Sequence, residues 1–373
     1  MKLKIKQNVL LEHLNYAIKG ISNKNLIPIL NCIKFELTEN GLYLMSTDND
    51  IAIKTFIEKK DIEEIDTLGE VVISGKYIYD IIRKLPNTFI NIEEAVDSRL
   101  YIYTESSSFY LNCNLVSDFP TIDLEDHKSP ITLTGKVLKT IYAQTAFATS
   151  QQETRPILTG INFKINGNTM ECTATDSYRL AKKTIQINET MVEDINVTIP
   201  TKNIGELVKM IVNEEDLVQL HIFNNKIIFK FNNIIMLSSL INGTYPDTSK
   251  LIPEEFSIHI KTNLDAIYSA IDRASLLTNE SEKNTIRFES KENEVVISSN
   301  IPEIGNVEEK LWIEKEEGND ISISFSSKYM MDALKTLETE DVMLLFNSEI
   351  KPIIVKSPNA DTLVQLILPI KTY

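Results

Sequence analysis

The sequence predicts an α+β protein built from three repeated domains, each with two helices on antiparallel sheets. Three observations carry that reading. The segment GKYIYDIIRKL at 75–85 returns 126 residues later as TKNIGELVKMI and 126 later again as SKYMMDALKTL. Each copy spaces its apolar residues at i, i+3, i+4 and i+7, as Ile78, Ile81, Ile82 and Leu85 do in the first, which is one stripe of a helix. A chain of 373 residues suits two or three domains, and a fixed period of this length marks a repeated structural unit. The repeat selects three domains: 1–123, 124–250 and 251–373.

Domain one opens with KLKIK, whose period of two suits a half-buried strand, and VLLEHLNYAIKGI follows as a helix with Leu11, Leu14 and Ile18 on one face. CIKFEL, LYLMS, IAIKTFIE and EVVIS read as strands before the helix from Gly75, which Pro86 closes because it cannot continue one. FINIEE, LYIYT and SFYLNCN add strands. DFPTIDLEDHKSP is a linker by its prolines, acids and lack of period. Domain two repeats the plan with ITL, the helix GKVLKTIYAQTAFA, the strands INFKI, MECTA and RLAKKTIQI, the second copy of the repeated helix after Pro200, and three more strands. NGTYPDTSKLIPEE is the second boundary, with Tyr245 and Pro246 one period after Phe119 and Pro120. Domain three runs from FSIHIK through the helix TNLDAIYSAIDRASLL to TIRFES, EVVISS, VEEKLWI and ISISF. The third copy of the repeated helix and a last set of strands ending in TLVQLILPI complete it.

Hydrophobic content of 43% and charged content of 24% are those of an ordinary globular protein. No apolar run is long enough to span a membrane and the N-terminus lacks a signal-peptide core, so a cytoplasmic location is expected. Cys32, Cys113 and Cys172 are scattered, which points to neither zinc nor a disulfide framework. The net charge of −15 argues against a nucleic-acid partner until its distribution is considered. The six predicted helices carry eleven basic residues against seven acidic ones, so positive charge is concentrated there. Lys76, Arg83 and Lys84, then Lys136 and Lys139, then Lys202 and Lys209 make up most of that excess. Helices gathered on one side would attract phosphates without base-specific contacts, because no aromatic platform or base-reading motif interleaves the lysines.

The segment TATDSYRLAKKT at 173–184, with LIPIL at 26–30, DFP at 118–120, YPD at 245–247 and the terminal LILPIKTY, closely resembles the bacterial DNA polymerase III β subunit, the sliding clamp family. The resemblance covers the whole chain in order. It implies a head-to-tail homodimer whose six similar domains close a ring around double-stranded DNA, with helices lining the hole. It also implies no catalysis and no cofactor, a processivity role in replication, and short apolar peptides from polymerase, clamp loader and repair proteins as further partners.

Mapped onto this sequence, the family's peptide pocket involves Leu158 and the run Thr175, Ser177, Tyr178, Arg179 and Leu180. Pro246 and Leu251 join it from the second boundary, and Leu366, Leu368 and Ile370 from the C-terminal strand. The pocket's apolar walls would bury the peptide's anchors while Arg179 and exposed backbone orient it. Ser177 and Tyr178 replace the usual Gly-His or Gly-Tyr, and the chain ends in IKTY where a Met-rich, basic-Leu ending is common, so peptide preference is expected to differ. DNA-facing positions map to Lys24, Lys76, Arg83, Lys84, Gln152, Arg155 and Lys202. Lys24 replaces an arginine and keeps charge without the bidentate fork. Subunit contacts map to Phe109 and Leu111 on one copy, facing Leu276 and Leu277 on the other.

Two rival readings remain open at this level. Asp48 and Asp176 recur in STDND and ATDSYR, as paired metal-binding carboxylates would, but residues repeated in separate domains would not share an ion, and turn-stabilising Asp is the better account. His13, His127, His221 and His259 form no catalytic pattern, and no Gly-rich phosphate loop exists among 11 glycines. A peptide-binding scaffold that never meets DNA is the other alternative, favoured by the acidic total.

Overall fold

A computed structural model describes residues 1–21, 26–125, 127, 129–281 and 283–371. In chain order, the first third contains β1 (Lys2–Lys6), α1 (Gln7–Ala17), β2 (Cys32–Thr38), β3 (Gly41–Thr47), β4 (Ile51–Glu58), β5 (Ile62–Thr67), β6 (Gly69–Ser74), α2 (Gly75–Lys84), β7 (Phe89–Glu94), β8 (Arg99–Tyr103) and β9 (Ser108–Asn112). The middle third contains β10 (Ile131–Thr134), α3 (Gly135–Thr145), β11 (Gly160–Thr175), β12 (Arg179–Pro200), α4 (Thr201–Met210), β13 (Leu217–Ile222), β14 (Lys226–Phe231) and β15 (Ile234–Ser239). The last third contains β16 (Ile258–Asn263), α5 (Leu264–Ser275), β17 (Thr285–Lys291), β18 (Glu294–Ile301), β19 (Gly305–Trp312), β20 (Glu314–Glu317), β21 (Ser322–Ser326), α6 (Ser327–Leu334), β22 (Asp341–Phe346), β23 (Ile353–Ser357) and β24 (Ala360–Ile367).

Packing gathers these elements into two compact units. One holds residues 1–136 and 202–240, the other 137–201 and 241–373. Unit 1 contains an eight-stranded sheet in the order β10-β13-β14-β15-β4-β3-β2-β6 and a five-stranded sheet in the order β5-β1-β7-β8-β9. Unit 2 contains a seven-stranded sheet, β11-β12-β24-β23-β22-β16-β20, and a four-stranded sheet, β19-β18-β17-β21. Every pairing is antiparallel, and in each unit one sheet runs across a repeat boundary: β15 pairs with β4, and β24 with β12.

The stripes read for the repeated helix are surfaces that pack, but the first helix turns a different face inward: Leu10, Leu14 and Ala17 are buried, while Leu11 is half-buried and Ile18 lies half-buried in the 3-10 turn that follows α1. Ile78 and Ile82 of α2 join Leu10 and Leu14 of α1 in the unit 1 core, and Met330, Ala333 and Leu334 of α6 join Ile267 and Ile271 of α5 in the unit 2 core. Each fully buried aliphatic side chain contributes about 1.5–3 kcal/mol. The helix α2 stops at Lys84, and Leu85 turns extended, as the residue before Pro86 must. At the end of α1, Ser46 donates from Oγ to the Ala17 carbonyl at 2.6 Å. Ser299 does the same for Ala274 at the end of α5, also at 2.6 Å. Both bonds satisfy a carbonyl that the helix leaves unpaired. Gly20 is required beside the first of them, since a Cβ there would lie 2.3 Å from the Ser46 hydroxyl.

The strands differ from expectation in three places. INFKI and MECTA belong to one strand of 16 residues, and RLAKKTIQI extends through Pro200 into one of 22. Two register shifts, at Ile165/Gly167 and Gly167/Thr169, absorb the unequal lengths of that hairpin. IEEIDT and EKEE, too polar to read as strands, are the end strands β5 and β20.

Candidate functional site

Most positions assigned to a peptide pocket converge within unit 2 on the turn between β11 and β12. Asp176 makes that turn: its Oδ1 accepts from the N–H groups of Tyr178 and Arg179 at 2.9 and 3.0 Å. Asp48 does the same in unit 1 for Asp50 and Ile51, at 3.1 and 3.0 Å, so both recurrent acids are turn formers. Ser177 sits at φ 77°, a left-handed position that a glycine would occupy without strain. Ser177 and Tyr178 stand exposed above buried Thr175 and Leu180. The pairing of β12 with β24 sets Leu180 opposite Leu366, and the Leu368 N–H donates to the Tyr178 carbonyl at 2.9 Å. Leu180 and Leu366 lie in a small apolar cluster with Met343, Leu345 and Ile354, against which Ile252 and Phe256 pack. Leu251 and Leu368 are exposed, Pro246 and Ile370 half-buried, and Leu158 buried. Behind Pro246, burial pushes the Tyr245 phenol well above its ordinary pKa.

Arg179 has partners of its own. Its Nε donates to Asp176 Oδ2 at 3.0 Å and its Nη1 to Asp332 Oδ2 at 2.7 Å, while the guanidinium lies 4.4 Å from the centre of the Tyr329 ring and 5.3 Å from that of Phe147. Asp332 lies off the buried stripe of α6 and faces the pocket turn. The sequence does not single out Phe147, Tyr329 or the cluster residues Met343, Leu345 and Ile354, because contacts between strands and helices far apart in sequence leave no local pattern.

The cations assigned to DNA are mostly on helix surfaces. In unit 1, Lys76, Arg83, Lys84, Lys136, Lys202 and Lys209 are exposed. Arg83 pairs with Asp80 at 3.1 Å, and Lys202 lies 3.6 Å from Asp48. Glu206 of α4 is shared by Lys209 at 2.8 Å and Lys19 at 3.4 Å, and although burial opposes it, these two ammonium groups hold its carboxyl below the usual range. In unit 2, Gln152 and Arg155 are exposed and Lys139 of α3 is half-buried. Arg155 donates to Ser177 Oγ at 3.4 Å. Lys24 lies outside the described residues.

One row of cross-strand partners passes through each joined sheet. In unit 1 it visits Ile131, Leu220, Phe229, Met236, Ile53 and Ser46 in turn, crossing between repeats from Met236 to Ile53. In unit 2 it visits Ile260, Leu344, Val355, Gln365, Ala181 and Ala174, crossing from Gln365 to Ala181. The remaining pieces are Leu3, Ile92, Ile102 and Phe109, which stop at the end strand β9, and Ser299 and Val307, which stop at the end strand β19. Phe109, Tyr110 and Leu276 are exposed, Leu277 is half-buried, and Leu111 packs against the unit 1 core.

Three family models match the chain in order: the N-terminal domain of the DNA polymerase III beta subunit over 1–123, its central domain over 132–247 and its C-terminal domain over 249–371. The chain is 38% identical over 379 residues to the beta sliding clamp of Bacillus subtilis (strain 168) and 39% identical over 377 residues to that of Staphylococcus aureus (strain Mu50 / ATCC 700699), with 100% of both chains covered each time. Its structure is similar to the crystal structure of the Bacillus subtilis DNA polymerase sliding clamp, at a TM-score of 0.95 and 36% identity over 100% of each chain. The DNA polymerase III beta chain of Streptococcus pneumoniae TIGR4 matches with a TM-score of 0.95 at 31% identity, again over 100% of each chain.

Proposed function

Because the chain belongs to the DNA polymerase III β subunit family, the bacterial sliding clamps, we propose that two copies join head to tail into a ring around duplex DNA in the cytoplasm. The protein is a sliding clamp, a processivity factor and not a catalyst. The three domains are 1–123, 124–250 and 251–373. Thr175, Ser177, Tyr178, Arg179 and Leu180, with Leu158, Pro246, Leu251, Leu366, Leu368 and Ile370, hold apolar peptides of the replicative polymerase, the clamp loader and repair proteins. Lys24, Lys76, Arg83, Lys84, Lys136, Lys139, Gln152, Arg155, Lys202 and Lys209 meet the phosphate backbone without reading sequence.

The observation that carries the ring is the pair of incomplete rows. Two seams between repeats are closed within the chain, and both join equivalent strands. Among the described residues the third seam has no partner on either side: β9 is the equivalent of β15 and β24, and β19 the equivalent of β4 and β12. Ser46 and Ser299, each bonded to the last turn of its helix, fix Val307 as the counterpart of Ile53. Closing the third seam by the same rule puts Phe109 of one copy opposite Val307 of the other, in an antiparallel ladder that also pairs Ser108 with Glu308. An interface of this head-to-tail kind closes only when its rotation fits, here after two copies.

A cross-linking experiment tests the register. The double variant Ser108→Cys/Glu308→Cys, oxidised in solution, should run as a covalent dimer of twice the 42.4 kDa chain mass without reductant. Ser108→Cys paired with Lys310→Cys, two residues out of register, should cross-link poorly. Equal yields from both would sink the proposed seam.

A further inference from the structure

Beyond the apolar pocket, unit 2 carries a basin of about 1290 Å³ over the four-stranded sheet, continuous with the pocket residue Ile370. Its lining is polar. Lys283, Arg287 and Lys371 face it together with hydroxyls such as Ser322 and Ser324, and Glu308 and Glu349 also border it. Among the described residues, three cations border it against two acids, in a chain of net charge −15. Arg287 is partly committed, 2.9 Å from Glu289 and bonded to Ser322 Oγ.

Lys283 is held differently. It and Asn284 are consecutive non-glycine residues at φ 59° and 53°, a conformation that surrounding structure must impose. The Lys283 N–H donates to the Glu280 carbonyl at 3.0 Å and the Asn284 N–H to that of Asn279 at 2.8 Å. The Asn284 carbonyl in turn accepts from Ser327 N at 2.9 Å and Ser327 Oγ at 3.0 Å, tying the loop to the start of α6. The Lys283 ammonium lies 5.4 Å from the centre of the exposed Tyr178 ring, at the junction of pocket and basin. Among the described residues no carboxylate lies within ion-pair distance of Lys283.

We propose that Lys283 and the basin form an acid-selective subsite of the peptide pocket, taking a partner peptide whose apolar anchors are flanked by Asp or Glu. The inference rests on the pocket reading above. An apolar segment entering beside Tyr178 must continue somewhere, and continuity through Ile370 leads its flank into the basin. Lys283 is the cation its carboxylates meet first. Uncharged polar flanks gain hydrogen bonds from the hydroxyls but no charge pairing, so the subsite sorts partners by charge while the apolar pocket sorts them by shape.

Fluorescence anisotropy on the full-length protein tests this. The probes are fluorescein-labelled synthetic peptides with Leu and Phe anchors, flanked before or after by Asp-Asp, and otherwise identical Asn-Asn versions. At low salt one Asp-Asp peptide should bind roughly three- to tenfold tighter than its Asn-Asn twin, with the preference fading as salt rises. Lys283→Asn, which suits the left-handed backbone, should erase the preference and leave the Asn-Asn peptide unaffected; Lys283→Arg should retain it. Equal binding of the twins to the unaltered protein, or a preference that survives Lys283→Asn, overturns the subsite while leaving the pocket standing. Failure of every peptide to bind overturns the pocket reading and the subsite with it.

Discussion

Arg179 turns its donors inward, to Asp176 and Asp332, and lies against the rings of Tyr329 and Phe147. Its side chain is only 10% exposed, so it positions the turn that bears Ser177 and Tyr178. Removing one partner of such a pair strands the other charge. Arg179→Ala should cost about 2–3 kcal/mol in urea unfolding, Asp332→Ala somewhat less because it is better solvated, and the double variant less than the sum. Ser46 and Ser299 offer a paired test of the repeat. Each Ser→Ala substitution leaves a helix-end carbonyl without its donor and should lower stability by about 1–3 kcal/mol, with similar losses at the two sites. At His13, burial holds the imidazole pKa below its ordinary 6.5, beside Thr55 Oγ1 at 2.6 Å. The folded chain therefore favours the neutral ring. Its contribution is complete above pH 6.5 and is lost as pH falls through the lower folded value, because the unfolded chain then binds the extra proton. The drop in Tm between pH 7.5 and 5.5 should be smaller for His13→Asn than for the unaltered protein; an unchanged drop would remove His13 as its source.

At the scale of elements, helices are the most legible part of the sequence. The stripe residues Ile78, Ile82, Met330 and Leu334 are buried as the 3.6-residue period requires. Strands are legible where one face is core, as in β2 and β3, and illegible where it is not. IEEIDT and EKEE are held by backbone bonds to one neighbour, β1 and β16 respectively, and need no alternation of apolar residues. The second half of β12 escapes a sequence reading for a related reason: its side chains around Met191 to Ile195 are mostly exposed, and two shifts in register break its period. The turn that organises the pocket is legible through TDSYR, because an Asp acts on backbone two and three residues away. Its alliance with Asp332 on α6 is not, since nothing local records a partner 153 residues on.

At the scale of the molecule, an acidic chain can hold DNA only if its positive charge is concentrated where the duplex runs. Salt dependence measures that concentration. On a closed circular duplex, log of the apparent affinity should fall linearly with log of salt, and the slope should shrink by roughly 0.9 for every phosphate the protein ceases to neutralise. Arg83→Glu with Lys202→Glu should therefore flatten the slope by roughly 1.8 or more, while leaving dimer formation intact. A slope that does not move would return those helices to the role of a solvated face.

The open edge β19 also bears on how a clamp survives before it has found its second copy. An unpaired strand is a template on which unrelated chains can stack into aggregates. Here the outward positions are Asn306, Glu308, Lys310 and Trp312, so charge interrupts the exposed row. Half-buried Glu309 is gripped by Arg273, Nε to Oε1 at 3.0 Å and Nη2 to Oε2 at 2.6 Å. Few strands could lie against that pattern without facing a like charge. The newly made subunit thus carries its own protection against misassembly, and if the ring closes through the proposed seam, the residues that guard it as a monomer are those the seam would cover.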